Sequence, residues 1–592
     1  MDLQEVLARS KEAMGGKAWD DVRALHSKVK VSMSGLSGPA ETWEDVLTGR
    51  YMGSFSLGAF SGAQGFDGKI TWERDTSGQV RVSDSGDARE GSANEAYRRT
   101  MAWWYPERWP AEISLTGSKT EGDRSFHVLR IHPKSGRPFE MWIDAKTFLI
   151  DRVVEQTSRE TRTGFMSDYR DLNGLKIPFS TRNTNGEEKY DQILVTESVE
   201  VNPAISDATF RMPEGGTNDF EIQGGKTSAE LPFEFLNNHI FVTVRLDGKE
   251  PLRMAFDTGG MNVVVPGVAK RLGLEGQGAL QGRGVGEKTE DVALTKVGEM
   301  RLGDVVLRDQ TFFLFPLAGV SEVEGVQVDG IIGYEVFKRF VVRIDYVKKL
   351  LTFTLPEAFD GKGAGTAVAF TFDEQTPQVD GEIDGIPGKF TIDTGSRSSL
   401  DLTTPFVEAH GLKAKYAPKV EAMTGFGVGG GVRSAVTRAK LLKLGSVEVP
   451  SPVTSFTLNR KGSLADRYVA GNVGGGVLRR FTVTFDYSRQ TIWFAPNESF
   501  AAPDNYDRAG LWINRAEDGF EVEDVVAHGP AAEAGVKVGD TIVAIDGRSP
   551  AELSLAEVRT RLRDSAPGTP VRLTVRSGGE TREVAVVRRE LV

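Results

Sequence analysis

Two Asp-Thr-Gly triplets, Asp257-Thr258-Gly259 and Asp393-Thr394-Gly395, stand 136 residues apart. One such triplet carries little weight, since about 0.1 is expected by chance in a chain of this length and composition. Two at matching points of a repeat define a chemistry. A lone carboxylate cannot make water attack an amide at neutral pH. A pair sharing one proton can: one takes the water's proton while the other, protonated, polarises the scissile carbonyl. Like charges a few ångströms apart cannot both ionise, so such a pair titrates as a unit with its two apparent pKa values pushed apart. Gly259 and Gly395 permit the tight turn that aims backbone N–H groups at the carboxylates. The hydroxyls of Thr258 and Thr394 can cross a two-fold axis to the opposite backbone and lock the geometry.

The elements that must position these residues form an internal repeat. Unit one runs from about 231 to 358 and unit two from about 366 to 497. In each, a strand enters the triplet (Met254 to Gly259, Lys389 to Gly395), and a short helix follows that ends in Gly-Leu (Ala269 to Leu274, Val407 to Leu412). Next comes a Gly-rich segment, Gly282 to Gly286 in one unit and Gly425 to Gly429 in the other. Each unit closes with a Gly-x-x-Gly turn, Gly330 to Gly333 and Gly471 to Gly474, then an Arg-Phe strand and Asp345-Tyr346 or Asp486-Tyr487. These closing landmarks are 141 residues apart, so unit two carries five more residues between triplet and turn.

Over 231–497 the sequence resembles the retropepsin-like and pepsin-like aspartic peptidases, in particular the bacterial single-chain form with two lobes. The resemblance implies an endopeptidase acting on a polypeptide substrate, without metal or cofactor and as a monomer. It makes Asp257 and Asp393 the catalytic pair, supported by Thr258, Gly259, Thr394, Gly395 and Ser396. It makes the segments holding Gly284, Gly286, Gly427 and Gly429 hairpin flaps over a bound peptide. Three departures stand out: Gly260 where the family usually has Ser, Thr or Ala, Asn472 in place of an apolar residue like Ile331, and no Tyr in either flap. Because Ser396 keeps a hydroxyl that Gly260 lacks, Asp393 is expected to ionise more easily than Asp257, with activity reaching milder acidity than in pepsin.

The flanks differ. Seven of the nine Trp residues precede residue 143, where apolar and polar residues alternate between turns, as from Lys28 to Met33. Residues 1–215 read as a large antiparallel sheet behind a helix at Leu3 to Met14. The stretches Gly65 to Trp72, Met141 to Arg152, Asp168 to Arg170 and Gly174 to Pro178 resemble the half-open barrel of bacterial periplasmic lipoprotein-carrier proteins; a sheet that merely packs on its neighbour stands beside that reading. Residues 214–230 are polar and Gly-rich, as a linker should be. From 503 to 592, Gly529 to Gly547 resembles a bacterial PDZ domain, with Leu555 to Leu562 as its long helix. That implies Asp518-Gly519-Phe520 as carboxylate loop and Val522 as pocket lining, although Asp518 beside an anion site is unfavourable. A peptide-capturing and a purely structural or regulatory PDZ both remain open. The expected fold is therefore mainly β: antiparallel half-barrel (1–215), two peptidase lobes (231–358 and 366–497) and an α+β PDZ domain (503–592).

Composition narrows the function classes. With 72 basic and 83 acidic residues, a net charge of -11 and no long basic run, nucleic acid is excluded as a partner. The chain has no Cys, which removes disulfides, thiolate nucleophiles and sulfur-ligated zinc, and its six His residues show no metal-ligand spacing. No apolar stretch is long enough to span a membrane. The start, Met1 to Glu5, lacks signal-peptide regions. That reads as cytoplasmic, yet a mature form without its leader would look identical, and the resemblance implies a periplasmic or secreted bacterial protein. The competing reading is a non-catalytic peptide- or lipoprotein-binding protein that uses the same lobes as scaffold.

Overall fold

The computed structural model describes all 592 residues except Ala59, Arg159, Arg283, Gly284, Val285, Glu287 and Thr289. The protein is mostly β, with 48% strand against 16% helix, so the architecture is defined by its sheets. The chain divides into two compact units: Met1–Asp219 with Gly276–Gln281 and Asp291–Thr295, and Phe220–Glu275 with Gly282–Glu290 and Lys296–Val592.

The first unit is built on one 13-stranded antiparallel sheet. Strands run in sequence order outward from the central pair Ala24–Met33 and Gln192–Val201 to end strands Val80–Val82 and Ala111–Glu121. The end strands do not pair with each other, so the sheet stays open, as a half-barrel requires. Two helices cover part of it. Leu3–Ala13 starts at the Asp2 cap, whose carboxylate accepts from the Glu5 N–H, and Gly86–Arg99 starts at the Ser85 cap. They bury Val6, Leu7 and Tyr97 against Leu129, Ile131, Phe139 and Ile143. Within this unit Ala279 donates its N–H to the Ser34 carbonyl at 2.7 Å, and Lys189 pairs with Asp291 at 2.8 Å.

In the second unit each repeat supplies one Asp-bearing sheet and three strands of a shared six-stranded sheet. The shared sheet runs Ser228–Pro232, Leu350–Thr354, Val341–Asp345, Phe481–Asp486, Thr491–Pro496 and Thr366–Ala369. Its central strands are antiparallel, with Ile344 opposite Val483, so the two repeats meet about a pseudo-two-fold axis. Phe256, Phe337, Phe353, Phe390, Phe481 and Phe485 fill the common core, each 1% exposed or less.

Part of the expected 214–230 linker is strand. Phe220–Ile222 pairs with Val305–Leu307 and Ser228–Pro232 with Leu350–Thr354, because Ile222 and Leu231 alternate with polar neighbours and bury in the lobe core. The helices before the flaps also differ. Pro266–Leu272 ends at Gly273 in the left-handed region (φ 73°), as the Gly-Leu pattern implies. In the second repeat, left-handed Gly411 (φ 59°) instead joins Thr404–Ala409 to a further helix, Leu412–Tyr416.

Residues 511–587 form a five-stranded sheet in the order Leu511–Ala516, Gly519–Val525, Thr541–Ile545, Pro570–Ser577, Glu580–Val587. Helix Leu555–Asp564 packs on it through Leu555, Val558 and Leu562, and starts at a Ser554–Glu557 capping box.

Candidate active site

Asp257 ends the strand Leu252–Asp257, which pairs in parallel with Gly330–Gly333; the strand Ile386–Ile392 delivers Asp393 and pairs in parallel with Gly471–Val473. After each Asp the chain turns sharply. Gly260 donates its N–H to the Asp257 carbonyl at 3.1 Å and Ser396 to the Asp393 carbonyl at 3.3 Å. Inside each turn a glycine N–H reaches the carboxylate: Gly259 to Asp257 Oδ1 at 2.9 Å, Gly395 to Asp393 Oδ1 at 2.8 Å.

The threonines cross between the repeats. Thr258 Oγ1 donates to the Ile392 carbonyl at 2.8 Å and accepts the Thr394 N–H at 3.2 Å. Thr394 Oγ1 donates to the Phe256 carbonyl at 2.9 Å and accepts the Thr258 N–H at 3.0 Å. Both threonines are buried to 1% exposure or less, so the four bonds sit away from water, where leaving a group unpaired is expensive. Tyr487 adds a fifth cross-link, donating its hydroxyl to the Thr258 carbonyl at 2.7 Å. Its counterpart Tyr346 has a buried hydroxyl without a partner.

Close approach explains the glycines. A Cβ on Gly395 would lie 2.3 Å from Asp257 Oδ2, one on Gly333 would lie 1.5 Å from the Asp257 carbonyl, and one on Gly474 2.5 Å from the Ser398 carbonyl. Gly395 therefore faces the carboxylate of the other repeat at contact distance. The departure at Gly260 has a similar cause: a Cβ there would meet Asp257 Cβ and Ile331 Cγ2, each at 2.8 Å.

The two carboxyls are not equivalent, and the reason differs from the expected one. The Ser396 hydroxyl turns to the Ser398 N–H at 3.4 Å and does not support Asp393. The side-chain donor to Asp393 is Asn472, whose Nδ2 reaches Oδ2 at 2.8 Å while its Oδ1 accepts from Thr391 Oγ1 at 2.5 Å. Burial pushes the Asp257 carboxyl up to about 7, helped by the charge of Asp393 and opposed by the Gly259 and Gly260 N–H groups. Burial raises Asp393 too, but Asn472, the Gly395 N–H, nearby His239 and the Ser396 N–H all pull it back. More groups stabilise the anion at Asp393 than at Asp257.

The flap tips meet. Gly286 donates its N–H to the Val428 carbonyl at 2.8 Å and Lys288 to the Gly429 carbonyl at 3.2 Å. A Cβ on Gly286 would lie 2.0 Å from the Gly429 carbonyl carbon, so this approach requires glycine. The second Gly-rich segment lies in the hairpin Val420–Gly427 and Gly430–Arg438, with Gly427 paired to Gly430; Gly284 lies outside the described residues.

Around 519–522 the expectation is overturned. Gly519, Phe520 and Val522 lie on Gly519–Val525, which is paired on both sides and so offers no free edge; Phe520 and Val522 are core residues, at most 1% exposed. The edge strand beside it is Leu511–Ala516, the opposite edge being Glu580–Val587, and the short helix Val320–Glu324 of the first lobe lies against Leu511–Ala516. Arg559, on the long helix, donates to the Val323 carbonyl at 2.6 Å and the Ile513 carbonyl at 2.7 Å. Trp512 is flanked by Arg559 and by Arg397, whose guanidinium carbons sit 5.3 and 5.1 Å from its ring. Glu324, 4% exposed, pairs with His239 at 3.1 Å and with Arg397 at 3.2 Å. This cluster links the active-site loop after Asp393 to the C-terminal sheet. No spacing in the sequence marks it, because its members come from five separate segments.

Residues 242–336, which include Asp257, match the aspartyl protease family, and residues 521–577 match the PDZ domain family. Among solved structures the chain is similar to an aspartic proteinase from Irpex lacteus (12% identity, TM-score 0.32, covering 47% of this chain and 100% of that one). It is also similar to a LolA superfamily protein from Nitrosomonas europaea (11% identity, TM-score 0.26, covering 36% of this chain and 98% of that one). No curated protein matches the sequence.

Proposed function

We propose that the protein is an aspartic endopeptidase with Asp257 and Asp393 as its catalytic pair. The observation that supports this most directly is the set of crossed Thr258 and Thr394 bonds, which holds the two Asp-bearing turns face to face. Asp393, ionised, takes a proton from the attacking water as its oxygen bonds to the scissile carbon. Asp257, protonated, gives its proton to the carbonyl oxygen. The resulting diol collapses as Asp393 passes its proton to the departing amine and Asp257 recovers one from a hydroxyl. Thr258, Gly259, Thr394 and Gly395 hold this geometry, and the Gly286, Gly427 and Gly429 tips close over an extended polypeptide. Both turns come from one chain, so the proposed working form is a monomer. Cysteine-free composition suits an oxidising compartment, and we place the protein in the periplasm or outside the cell; among the described residues no helix is long and apolar enough to cross a membrane.

The C-terminal domain serves as a gate in this reading. Its edge strand Leu511–Ala516 and helix Leu555–Asp564 already hold the first lobe's Val320–Glu324 segment, so a polypeptide adding to that edge must displace it. The competing reading, with a first domain that carries a lipid, draws little support from the first unit. A cavity of about 790 Å³ there is lined by Lys28, Glu41, Arg74, Asp75 and Glu197, which suits a polar ligand better than an acyl chain. Cleavage of casein that pepstatin blocks, and that Asp257→Asn and Asp393→Asn each abolish, is the expected result. Binding of casein without cleavage between pH 3 and 8 would instead support the non-catalytic reading.

A further inference from the structure

The two Asp-bearing sheets are built alike, yet one row of neighbouring residues has opposite character in each. In the first, Ala255, Ile331, Val263 and Phe313 stand side by side on four adjacent strands. In the second, the same row is Thr391, Asn472, Asp401 and Ser455. Four apolar residues are matched by four polar ones. Thr391, Asp401 and Ser455 are 8, 6 and 4% exposed, so the polar row is inside the lobe, where an acidic side chain is costly. It leads to the dyad: Asp401 is cross-strand neighbour to Asn472, and the Asn472 amide donates to Asp393. One Asp401 oxygen, Oδ1, is buried without a hydrogen-bond partner.

We infer that Asp401 is a third ionisable group of the active site, a positioning residue that acts on Asp393 from inside the lobe alongside Asn472. The inference rests on the hydrolytic reading of the dyad. Burial pushes the Asp401 carboxyl up to about 7, against the pull of the Ser398 and Ser455 hydroxyls and with a further push from Asp393. Its charged surroundings are few. The flanking strands Val453–Thr457 and Gly471–Val473 carry no charged residue, and helix Thr404–Ala409 carries only exposed Glu408. The loop 396–399 carries only Arg397, which pairs with Glu324, so Asp393 is the charge that acts on Asp401.

The coupling is reciprocal. At acid pH Asp401 is neutral and leaves the first ionisation of the dyad alone. Near neutrality it ionises and adds a negative charge behind Asp393, which makes the dyad hold its remaining proton more tightly. That proton is the one the mechanism needs on Asp257. Asp401 therefore extends activity towards alkaline pH, a role that Val263 cannot perform in the first lobe.

The test is the pH profile of casein cleavage at limiting substrate for the full chain and for Asp401→Asn. In Asp401→Asn the alkaline limb moves down by on the order of one pH unit, about a fivefold loss at the wild-type midpoint that approaches tenfold at higher pH, while the acid limb stays in place. A uniform loss at every pH, or an unchanged alkaline limb, overturns the inference and leaves the hydrolytic reading standing. Absence of pepstatin-sensitive cleavage by the wild type overturns that reading, and the inference with it. Carbon-13 NMR of aspartate carboxyls in the wild type needs no variant: three resonances with coupled titrations that all move on pepstatin binding are expected, and two would overturn the assignment of Asp401.

Discussion

The Asn472 amide donates to Asp393 Oδ2 at 2.8 Å, at the register position that Ile331 holds in the first lobe. This replacement helps to separate two chemically identical carboxyls. Asn472→Ile removes a donor to the anion, so the Asp393 pKa rises. The dyad reaches its singly ionised, working form only after Asp393 loses its proton. The acid limb of the activity profile should therefore move up by roughly one pH unit, with the alkaline limb less affected. A pH profile of casein cleavage checks this.

The wild-type profile follows from the same asymmetry. Asp257 must keep its proton, and its carboxyl is pushed up to about 7. Activity should persist through mild acidity and fall as pH rises past neutrality. Measured activity confined below about pH 4 would contradict so strongly raised an Asp257 carboxyl.

The crossed threonines make a prediction about stability. Thr258→Val removes the donor to the Ile392 carbonyl and the acceptor of the Thr394 N–H, both buried. Two unsatisfied buried groups should cost about 2 to 3 kcal/mol, and calorimetry should show a lower Tm for the unit that holds the lobes. Thr394→Val should behave alike, since its bonds mirror the first set.

Much of this arrangement is legible in the chain because the repeat supplies its own alignment. Paired Asp-Thr-Gly triplets, Gly-rich segments and closing turns at a constant offset identify two matching halves, and Thr258 and Thr394 have one chemically useful place to send a hydroxyl. Other features depend on facts that local sequence does not carry. Asp401 sits between Leu400 and Leu402 and reads as part of an apolar return; only strand register sets it beside Asn472. Ser396 reads as a carboxylate donor, but its hydroxyl takes the Ser398 N–H instead. Which of two adjacent strands is the sheet edge is a property of topology, so 519–522 reads as plausibly as 511–516 until the pairing is known.

Gly395→Ala should separate folding from catalysis. Its Cβ would fall 2.3 Å from Asp257 Oδ2, too close for any rearrangement that keeps the carboxylate in place. The main contacts of the lobes lie elsewhere, so the variant should retain its far-UV circular dichroism while losing casein cleavage and pepstatin binding together. Retained pepstatin binding would mean that Asp257 can move aside without losing the inhibitor site.

The proposed gate can be loosened from the C-terminal domain without touching either carboxylate. Arg559 holds the Val323 and Ile513 carbonyls together, and Trp512 receives both Arg559 and Arg397. Arg559→Ala should raise amide exchange across Val320–Gly325 and at Arg397 while strands Thr541–Ile545 and Pro570–Ser577 stay protected. Acid should act on the same joint. His239 and Arg397 hold the buried Glu324 carboxyl down at about 2, below its ordinary value of 4.5. A depressed folded-state pKa contributes stability that is present above the ordinary value and lost as pH falls toward the depressed one. Exchange across Val320–Gly325 should therefore accelerate between about pH 4.5 and 2 in the wild type, and Glu324→Gln should show the faster exchange already at neutral pH. Equal exchange in all three proteins would show that this segment is held by the lobe alone, and that the C-terminal domain does not gate it.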